Sequence, residues 1–384
     1  MRDRVILMVG LYDTLDIFTY ELKKEFEKIG LEVMIFNSQD MEGSMIKLSE
    51  FIKEPVKAVV TFNNLGFNME LIKGQNIWEQ LQIPCINILM DHPFIHKKAL
   101  DNAPANAVVI CPDRNHMKFV QRFYPQIPIV GFLPHGGKAK DISIKPICER
   151  SIDILYAGGI SYKFIEQSKP DFKEFTFDAK KIANETYEEL INNPDRTTED
   201  VIEERLLHNG IILSDNELLN VIEKLHYIDM MAVSYYREKT VKTLVDAGFK
   251  VTLYGTGWEV CDWIDNENLD YRGRVSADEI VDLMYDSKIV LNTMTWFKDG
   301  THDRVFNGML AGAVAVTDSS IYMKENFTDN ELEDIDKLPH IINDLVTDKY
   351  KMQKIADEGR KKALQFHSWE KRADELYYDL ISQL

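Results

Sequence analysis

Cysteine is scarce in this chain of 384 residues, and the few cysteines stand far apart. There are four, at positions 85, 111, 148 and 261, with no Cys-x-x-Cys pair and no histidine partners at metal spacing. A disulfide framework or a structural zinc site needs clustered ligands. The sequence therefore predicts neither of them.

Long apolar runs and an excess of positive charge are missing as well. No stretch approaches the ~20 apolar residues that span a bilayer, and the first run, at 5–9, is too short for a signal peptide. Lysine and arginine number 45 against 63 aspartates and glutamates, which gives a formal net charge of -18. This balance disfavours nucleic acid and anionic membranes as partners. We expect a cytoplasmic protein without a transmembrane segment, and its oligomeric state stays open.

Apolar residues make up 45% of the chain, enough for packed cores, and the length favours two α/β domains over one. A helix-like pattern at 17–29 lies between the first two of several short apolar runs. Such alternation is typical of a doubly wound parallel sheet. The runs predicted as strands are 5–9, 33–36, 58–62, 85–90, 107–111 and 129–133.

A second unit follows the linker-like stretch 138–150. It begins with a predicted strand that runs into Gly158 and Gly159, and a long charged, mostly helical region at about 162–247 follows, larger than an ordinary crossover. Further strands and helices complete a second sheet and end the chain as helices. They are predicted at 251–254, 277–286, 289–292, 313–317, 349–364 and 369–384.

The stretch 299–318 is the most informative motif. It predicts a polar loop, a short helix with Thr301 as its N-cap, and a buried strand. His302 and Arg304 then lie in or beside the first helical turn, where the helix dipole disfavours a cation unless an anion lies there too. Free N–H groups and a guanidinium suit a phosphate or diphosphate. The alternative is that Arg304 pairs with Asp299 or Asp303.

Glycine turns follow two strands of the second unit. Gly158 and Gly159, or Gly255 and Gly257, would let the backbone approach a ligand phosphate, although a tight turn needs the same residues. Trp258, directly after the second pair, would stack on a base. Neither turn carries the full Gly-x-Gly-x-x-Gly fingerprint, so NAD binding is not expected.

Other polar residues extend the list of candidates. Arg272 and Arg274 precede a predicted helix and would meet phosphates or a base; the alternative, a solvated surface charge, fits Arg272 better. Asp334 and Asp336 have the Asp-x-Asp spacing of metal-dependent sugar transferases. No apolar strand precedes them, so a solvated loop is favoured and no metal site is predicted.

In the first unit, Asp91 and His92 end a predicted strand, at the edge where open α/β sheets bind ligands. A histidine beside a carboxylate would abstract a proton from an acceptor. The alternative is a loop histidine in a turn shaped by Pro93. His135 lies at another strand end and is a similar candidate for this role, and His96 is a weaker candidate.

The second unit resembles the donor-binding half of GT-B glycosyltransferases, specifically the CgeB-like (spore-maturation protein) group related to family 1 and family 4 retaining enzymes. The first half carries a weaker likeness, at Asp91-His92-Pro93 and 133–136. The matching motifs of the second half are a strand-Gly-x-Gly-Trp element at 251–258, an Arg-Gly-x-Val loop at 271–275, a helix and strand at 280–292, His302-x-Arg304-x-Phe306, Ala311-Gly-Ala313, and a His-x-Trp-x-x-Arg helix start at 366–372.

The resemblance implies two Rossmann-like, doubly wound domains facing each other across a cleft, with a helical insertion. The acceptor-side domain would comprise 1–145, the nucleotide-sugar domain 146–366, and a helix at 367–384 would cross back to the first domain. Arg304 and His302 would bind the diphosphate or sugar, and Trp258 and Arg274 would frame the base. Asn307 stands where related family 4 enzymes have a ribose-binding glutamate.

These observations predict a metal-independent glycosyltransferase that uses no cofactor and takes its sugar from a nucleoside-diphosphate sugar, a UDP-sugar by resemblance. The acceptor would offer a hydroxyl group on a protein, a glycan or a small molecule. Arg304 would stabilise the leaving group, with His92 or Asp91 on the acceptor side. The alternatives are a nucleotide-sugar epimerase or hydrolase of the same fold, and a non-catalytic binding protein, which Asn307 keeps open.

Overall fold

The computed structural model describes residues 2–10, 13–294, 296–327, 331–332 and 337–384. They form two compact units. The first comprises 1–139, 276–278 and 362–384, and the second comprises 140–275 and 279–361. In the described part of the chain, no helix is both long enough and apolar enough to cross a membrane.

The first unit is built on a parallel sheet with the strand order β2-β1-β3-β6-β7-β8 and a small antiparallel hairpin, β4-β5. Its strands are β1 (Arg4–Val9), β2 (Glu32–Asn37), β3 (Ala58–Phe62), β4 (Glu70–Ile72), β5 (Gln75–Asn76), β6 (Cys85–Ile88), β7 (Ala107–Cys111) and β8 (Ile129–Phe132). Its first helices are α1 (Asp13–Ile29), α2 (Met41–Phe51), α3 (Ile77–Gln80), α4 (Lys97–Asp101) and α5 (Arg114–Phe123).

The second unit contains another parallel sheet, with the order β11-β10-β9-β12-β13-β14. Its strands are β9 (Ile152–Ala157), β10 (Val251–Tyr254), β11 (Leu269–Tyr271), β12 (Ser287–Asn292), β13 (Val314–Asp318) and β14 (Glu331–Leu332). Its helices are α6 (Tyr162–Ser168), α7 (Ala179–Asn192), α8 (Thr198–His208), α9 (Asp215–Leu225), α10 (Tyr227–Asp246), α11 (Ala277–Tyr285), α12 (Asp303–Leu310), α13 (Ile321–Asn326), α14 (Leu338–Thr347) and α15 (Lys349–Phe366). The chain ends with α16 (Trp369–Asp379), which lies in the first unit.

The apolar runs of the sequence become strands because both faces of each sheet are covered. Every residue of β1, β3 and β7 is buried, as expected of strands in a parallel sheet. The core of the first unit also contains Trp369, whose ring centroid lies 5.0 Å from that of Phe18. The predicted α/β class with parallel sheets is confirmed, and the helical region at about 162–247 is present as α6 to α10.

The strand order places a topological switch point in each sheet. In the second unit the chain enters at β9, adds β10 and β11 on one side, and then adds β12 and β13 on the other. The crevice at such a point, outside the carboxyl ends of the two central strands, is the usual ligand site of open α/β sheets. In this unit it lies between the ends of β9 and β12.

Candidate functional site

The candidate site of the second unit lies at the carboxyl ends of β9 and β12. Gly158 and Gly159 follow β9, and Thr293 follows β12. The two strand ends are joined by a hydrogen bond between the Tyr156 hydroxyl and Thr293 Oγ1, 3.0 Å apart. Loops that leave parallel strands at this edge present backbone and side chains to the same crevice.

Arg304 lies in the first turn of α12 and reaches this edge. Its Nη1 donates to Asn292 Oδ1 at 2.7 Å, and its Nη2 lies 3.4 Å from His302 Nε2. Both partners are uncharged at neutral pH, and among the described residues no carboxylate forms an ion pair with Arg304. The alternative in which Arg304 pairs with Asp299 or Asp303 is therefore wrong. Burial lowers the pKa of Arg304, and neighbouring Arg237 lowers it further.

Arg237 is a second guanidinium at this site, and sequence reasoning missed it. It lies on α10, and its Nη1 donates to the carbonyl oxygen of Gly159 at 2.6 Å. Its central carbon is 5.9 Å from the centroid of the Trp296 ring. Nothing in the local pattern of α10 marks this arginine, because it stands among charged residues of a long helix. Arg304 and Arg237, called the arginine pair below, concentrate positive charge at the switch point.

His302 begins α12 and supports Arg304. Its Nδ1 is 2.6 Å from Asp303 Oδ1 and 3.2 Å from the backbone nitrogen of Arg304. Burial and the charge of Arg304 lower the pKa of His302, so the ring is neutral at pH 7. The predicted N-cap, Thr301, is corrected: His302 holds that position, and Thr301 is fully buried.

Asn307 lies one turn beyond Arg304 on α12 and is buried. Its Nδ2 donates to Asp303 Oδ2 at 3.0 Å, so this part of the amide is engaged within the helix. That Asn307 contacts a ribose stays a prediction.

The glycine turns bring two loops of the protein close together. A Cβ on Gly255 would collide with the carbonyl group of Gly158, and one on Gly257 with the carbonyl oxygen of Ile160. Both glycines have positive φ, at 142° and 90°. A Cβ on Gly159 would come within 2.8 Å of the Thr256 carbonyl oxygen. The packing of the two loops therefore needs these glycines, and their contact with a ligand phosphate stays a prediction.

Gly158 differs from its neighbours because it borders the arginine pair. A Cβ there would lie 3.3 Å from the Tyr156 ring and 3.7 Å from the Arg237 guanidinium. The residue is half-buried, so its predicted place beside a ligand remains compatible with the structure.

Trp258 is a core residue, which corrects the prediction that it stacks on a base. Its ring is fully buried among apolar side chains of the second unit, and its Nε1 donates to the Gly158 carbonyl oxygen at 2.8 Å. Of the two arginines in the loop after β11, Arg272 forms an exposed ion pair with Asp270 at 2.7 Å. Arg274 is exposed, and its role in binding a base stays a prediction.

In the first unit, His92 is buried, and its ring stacks on that of Phe94 at 3.8 Å between centroids. Its Nδ1 accepts from the backbone nitrogen of Phe94, and burial lowers its pKa to about 3. A ring held neutral so strongly is a poor proton acceptor at pH 7. That His92 is the acceptor-side base stays a prediction, which this low pKa disfavours. His135 is also buried, in the same unit.

Asp91 is half-buried and accepts a hydrogen bond from Asn63 Nδ2 at 2.8 Å. Burial raises the pKa of this carboxyl group. His96 is buried and bonds to Asn64. The Asp-x-Asp pair at 334 and 336 lies outside the described residues.

Comparison with known proteins identifies the kind of domain that part of the chain resembles. Residues 237–377, which include the arginine pair and α12, match the family model described as glycosyl transferase-like. Among curated proteins, no sequence relative of the chain was found.

Several solved structures share the whole fold. Sucrose-phosphate synthase from Thermosynechococcus elongatus aligns with a TM-score of 0.54 at 11% identity, covering 100% of both chains. Anabaena HepE, in complex with UDP and glucose, aligns with a TM-score of 0.52 at 10% identity, again over 100% of both chains. An α-glucosyltransferase in complex with UDP and a 13-mer DNA gives 0.52 at 12%, with the same coverage. The chain therefore has the fold of GT-B glycosyltransferases, and its residues 237–377 are glycosyl transferase-like.

Proposed function

We propose that this protein transfers a sugar from a nucleoside-diphosphate sugar to a hydroxyl group of an acceptor. The arginine pair carries the proposal. Two guanidinium groups without carboxylate ion-pair partners among the described residues meet at the switch point, beside the first turn of α12. A diphosphate would neutralise both positive charges and accept hydrogen bonds from the guanidinium N–H groups.

The arginine pair would also act in the reaction. As the bond between the anomeric carbon and the diphosphate oxygen breaks, negative charge grows on the leaving phosphate. Arg304 and Arg237 are held by Asn292 and by the Gly159 carbonyl group, so they meet this charge without rearranging. We propose that they supply the positive charge without a metal ion.

The bond that forms joins the anomeric carbon to the acceptor oxygen, whose proton must pass to a base. Asp91 is our candidate, because its raised pKa makes the carboxylate more basic than an exposed one. We further propose a UDP-sugar as donor. The support is that two proteins of the same fold, HepE and the α-glucosyltransferase, were solved in complex with UDP.

Product analysis tests the activity directly. The purified protein is incubated with UDP-glucose, UDP-galactose, UDP-N-acetylglucosamine and their GDP, dTDP and ADP counterparts, with and without simple glycosides as acceptors. Mass spectrometry then follows the products. A glycosylated acceptor together with free nucleoside diphosphate would support transfer. An isomerised donor, or release of free sugar regardless of acceptor, would show an epimerase or hydrolase instead.

Arg304→Ala is the matched inactive variant, and Arg272→Ala is its control. Both remove one arginine from the second unit, but Arg272 is exposed and paired with Asp270. Transfer lost in the first variant and kept in the second would locate the reaction at α12. Failure of every nucleotide to bind would favour a non-catalytic protein of this fold.

A further inference from the structure

A cavity of about 700 Å³ lies in the first unit and is lined by residues of that unit only. It is formed by the segment after β3, the β4-β5 hairpin, the turn at Pro93–His96, and α4. Its volume falls in the range of about 300–1,000 Å³ that small-molecule sites occupy. None of the donor-site residues contributes to it.

Asparagines of the wall present oxygen atoms to this cavity. Asn68 Nδ2 donates to the carbonyl oxygens of Ala99 and Asn102 at 3.1 and 2.6 Å, and Asn102 Nδ2 donates to that of Lys98 at 2.8 Å. Both N–H donors of the Asn68 amide and one of the Asn102 amide are thus committed to the protein. Each of the two asparagines keeps its Oδ1 as an acceptor for a ligand.

Two glutamates add further acceptors. Glu70 Oε2 accepts from the backbone nitrogen of Gly74 at 2.8 Å, and Glu79 Oε1 accepts from that of Ala105. In each case the second carboxylate oxygen has no hydrogen bond within the described structure. Against these two negative charges the wall carries one cation, Lys98. The cavity therefore disfavours an anion such as a phosphate.

His96 lies in the wall with a neutral ring. Asn87 Oδ1 accepts from the backbone nitrogen of Asn64, and Asn87 Nδ2 donates to Asn64 Oδ1 at 2.7 Å. This fixes the Asn64 amide so that its Nδ2 donates to His96 Nδ1 at 2.8 Å. The ring proton of His96 must then be on Nε2, which has almost no accessible surface and does not face the cavity. Burial lowers the pKa of His96 to about 4, so the ring adds no positive charge to the wall.

We propose that this cavity binds an uncharged polyhydroxylated ligand, of the class of a terminal sugar residue. Hydroxyl groups donate to the amide and carboxylate oxygens, and they also accept from Lys98. Ile95, half exposed in the wall, offers an apolar surface for the C–H face of a sugar ring. The inference does not depend on the donor site.

Saturation-transfer NMR on the whole protein tests the proposal. The probes are methyl α-D-glucopyranoside, methyl β-D-galactopyranoside and N-acetylglucosamine, with methyl phosphate and spermidine as charged comparisons. Ala99→Leu would place a larger side chain of α4 in the cavity. It should weaken sugar binding at least about tenfold, because the leucine side chain would occupy space that the sugar needs. Lys47→Leu, on the exposed face of α2 and outside the cavity, should leave binding unchanged.

Glu70→Lys is the second variant, since Glu70 is exposed on the hairpin and its replacement leaves the core intact. It removes an acceptor and should also weaken binding, by about tenfold. The proposal is overturned if no sugar shows saturation transfer, if only spermidine or methyl phosphate does, or if both cavity variants bind as the wild type does. Sugar binding lost in Arg304→Ala but kept in Ala99→Leu would place the sugar in the second unit and also overturn it.

Discussion

Replacing Arg304 by alanine is the perturbation that bears most directly on the donor site. The guanidinium is fixed by Asn292 and faces no carboxylate ion pair in the described structure, so its main expected partner is the ligand. A hydrogen bond to a charged group contributes about 1.5–3 kcal/mol. Because about 1.4 kcal/mol corresponds to a factor of ten, the dissociation constant for UDP should rise roughly 10- to 150-fold.

The weaker binding of UDP should also reduce the stabilisation of the folded protein by UDP. At a UDP concentration about 100 times the wild-type dissociation constant, the ligand adds about 2.7 kcal/mol to the free energy of unfolding. A variant that binds about 30-fold more weakly would gain only about 0.9 kcal/mol at that concentration. Isothermal calorimetry measures the affinity itself, and thermal unfolding with and without UDP provides the second reading.

Without ligand, two effects of Arg304→Ala oppose each other. Asn292 Oδ1 loses its donor, at a cost of about 1–3 kcal/mol for a buried group, while the repulsion from Arg237 is relieved. The unliganded variant should therefore remain folded, with Arg272→Ala as the charge-matched control. A dissociation constant within about twofold of wild type in Arg304→Ala, or equal losses in both variants, would refute the site.

Three further predictions follow from the same structure. Arg237→Ala should weaken UDP binding about tenfold by calorimetry, because it removes the second guanidinium; an unchanged affinity would exclude it from the site. Gly257→Ala should lower the free energy of unfolding, measured in urea, by more than Gly273→Ala does. Both glycines have positive φ, which costs an alanine about 1–3 kcal/mol, but only at Gly257 would the new Cβ also collide with a backbone carbonyl. Equal losses in the two variants would contradict this. Burial lowers the pKa of His92 to about 3 and of His96 to about 4, so protonation favours the unfolded chain. The free energy of unfolding should be constant above about pH 6.5. Below that pH it should fall by about 1.4 kcal/mol per pH unit for each of the two histidines. A urea midpoint of unfolding that does not change between about pH 7.5 and pH 5.5 would contradict this.

Several features were predictable because they depend on short stretches of chain. Buried parallel strands need continuous apolar runs, so β1, β3 and β7 stand out in the sequence. The helix that carries Arg304 was recognisable from the polar loop before it and the buried strand after it. The start of that helix was misplaced by one residue, because Thr301 is buried and the His302 side chain takes its place.

Other features depend on which distant segments meet. Gly255 and Gly257 looked like a phosphate turn, yet the loop after β9 fills the space beside them. Trp258 looked available to a base, but the second core closes over its ring. A glycine turn and a tryptophan have the same local pattern in both situations, so only the packing of the neighbouring loop distinguishes them.

The sequence by itself determined the class of the fold and the helix that carries Arg304, because apolar periodicity and helix signals act over a few residues. The tertiary structure decided the rest. Arg237 lies 67 positions before Arg304 in the numbering, and only the packing of α10 brings it to the Gly159 carbonyl group. The charge at a site depends on which groups lie close together in space. At its carboxyl edge, a parallel sheet brings together residues that are far apart in the sequence.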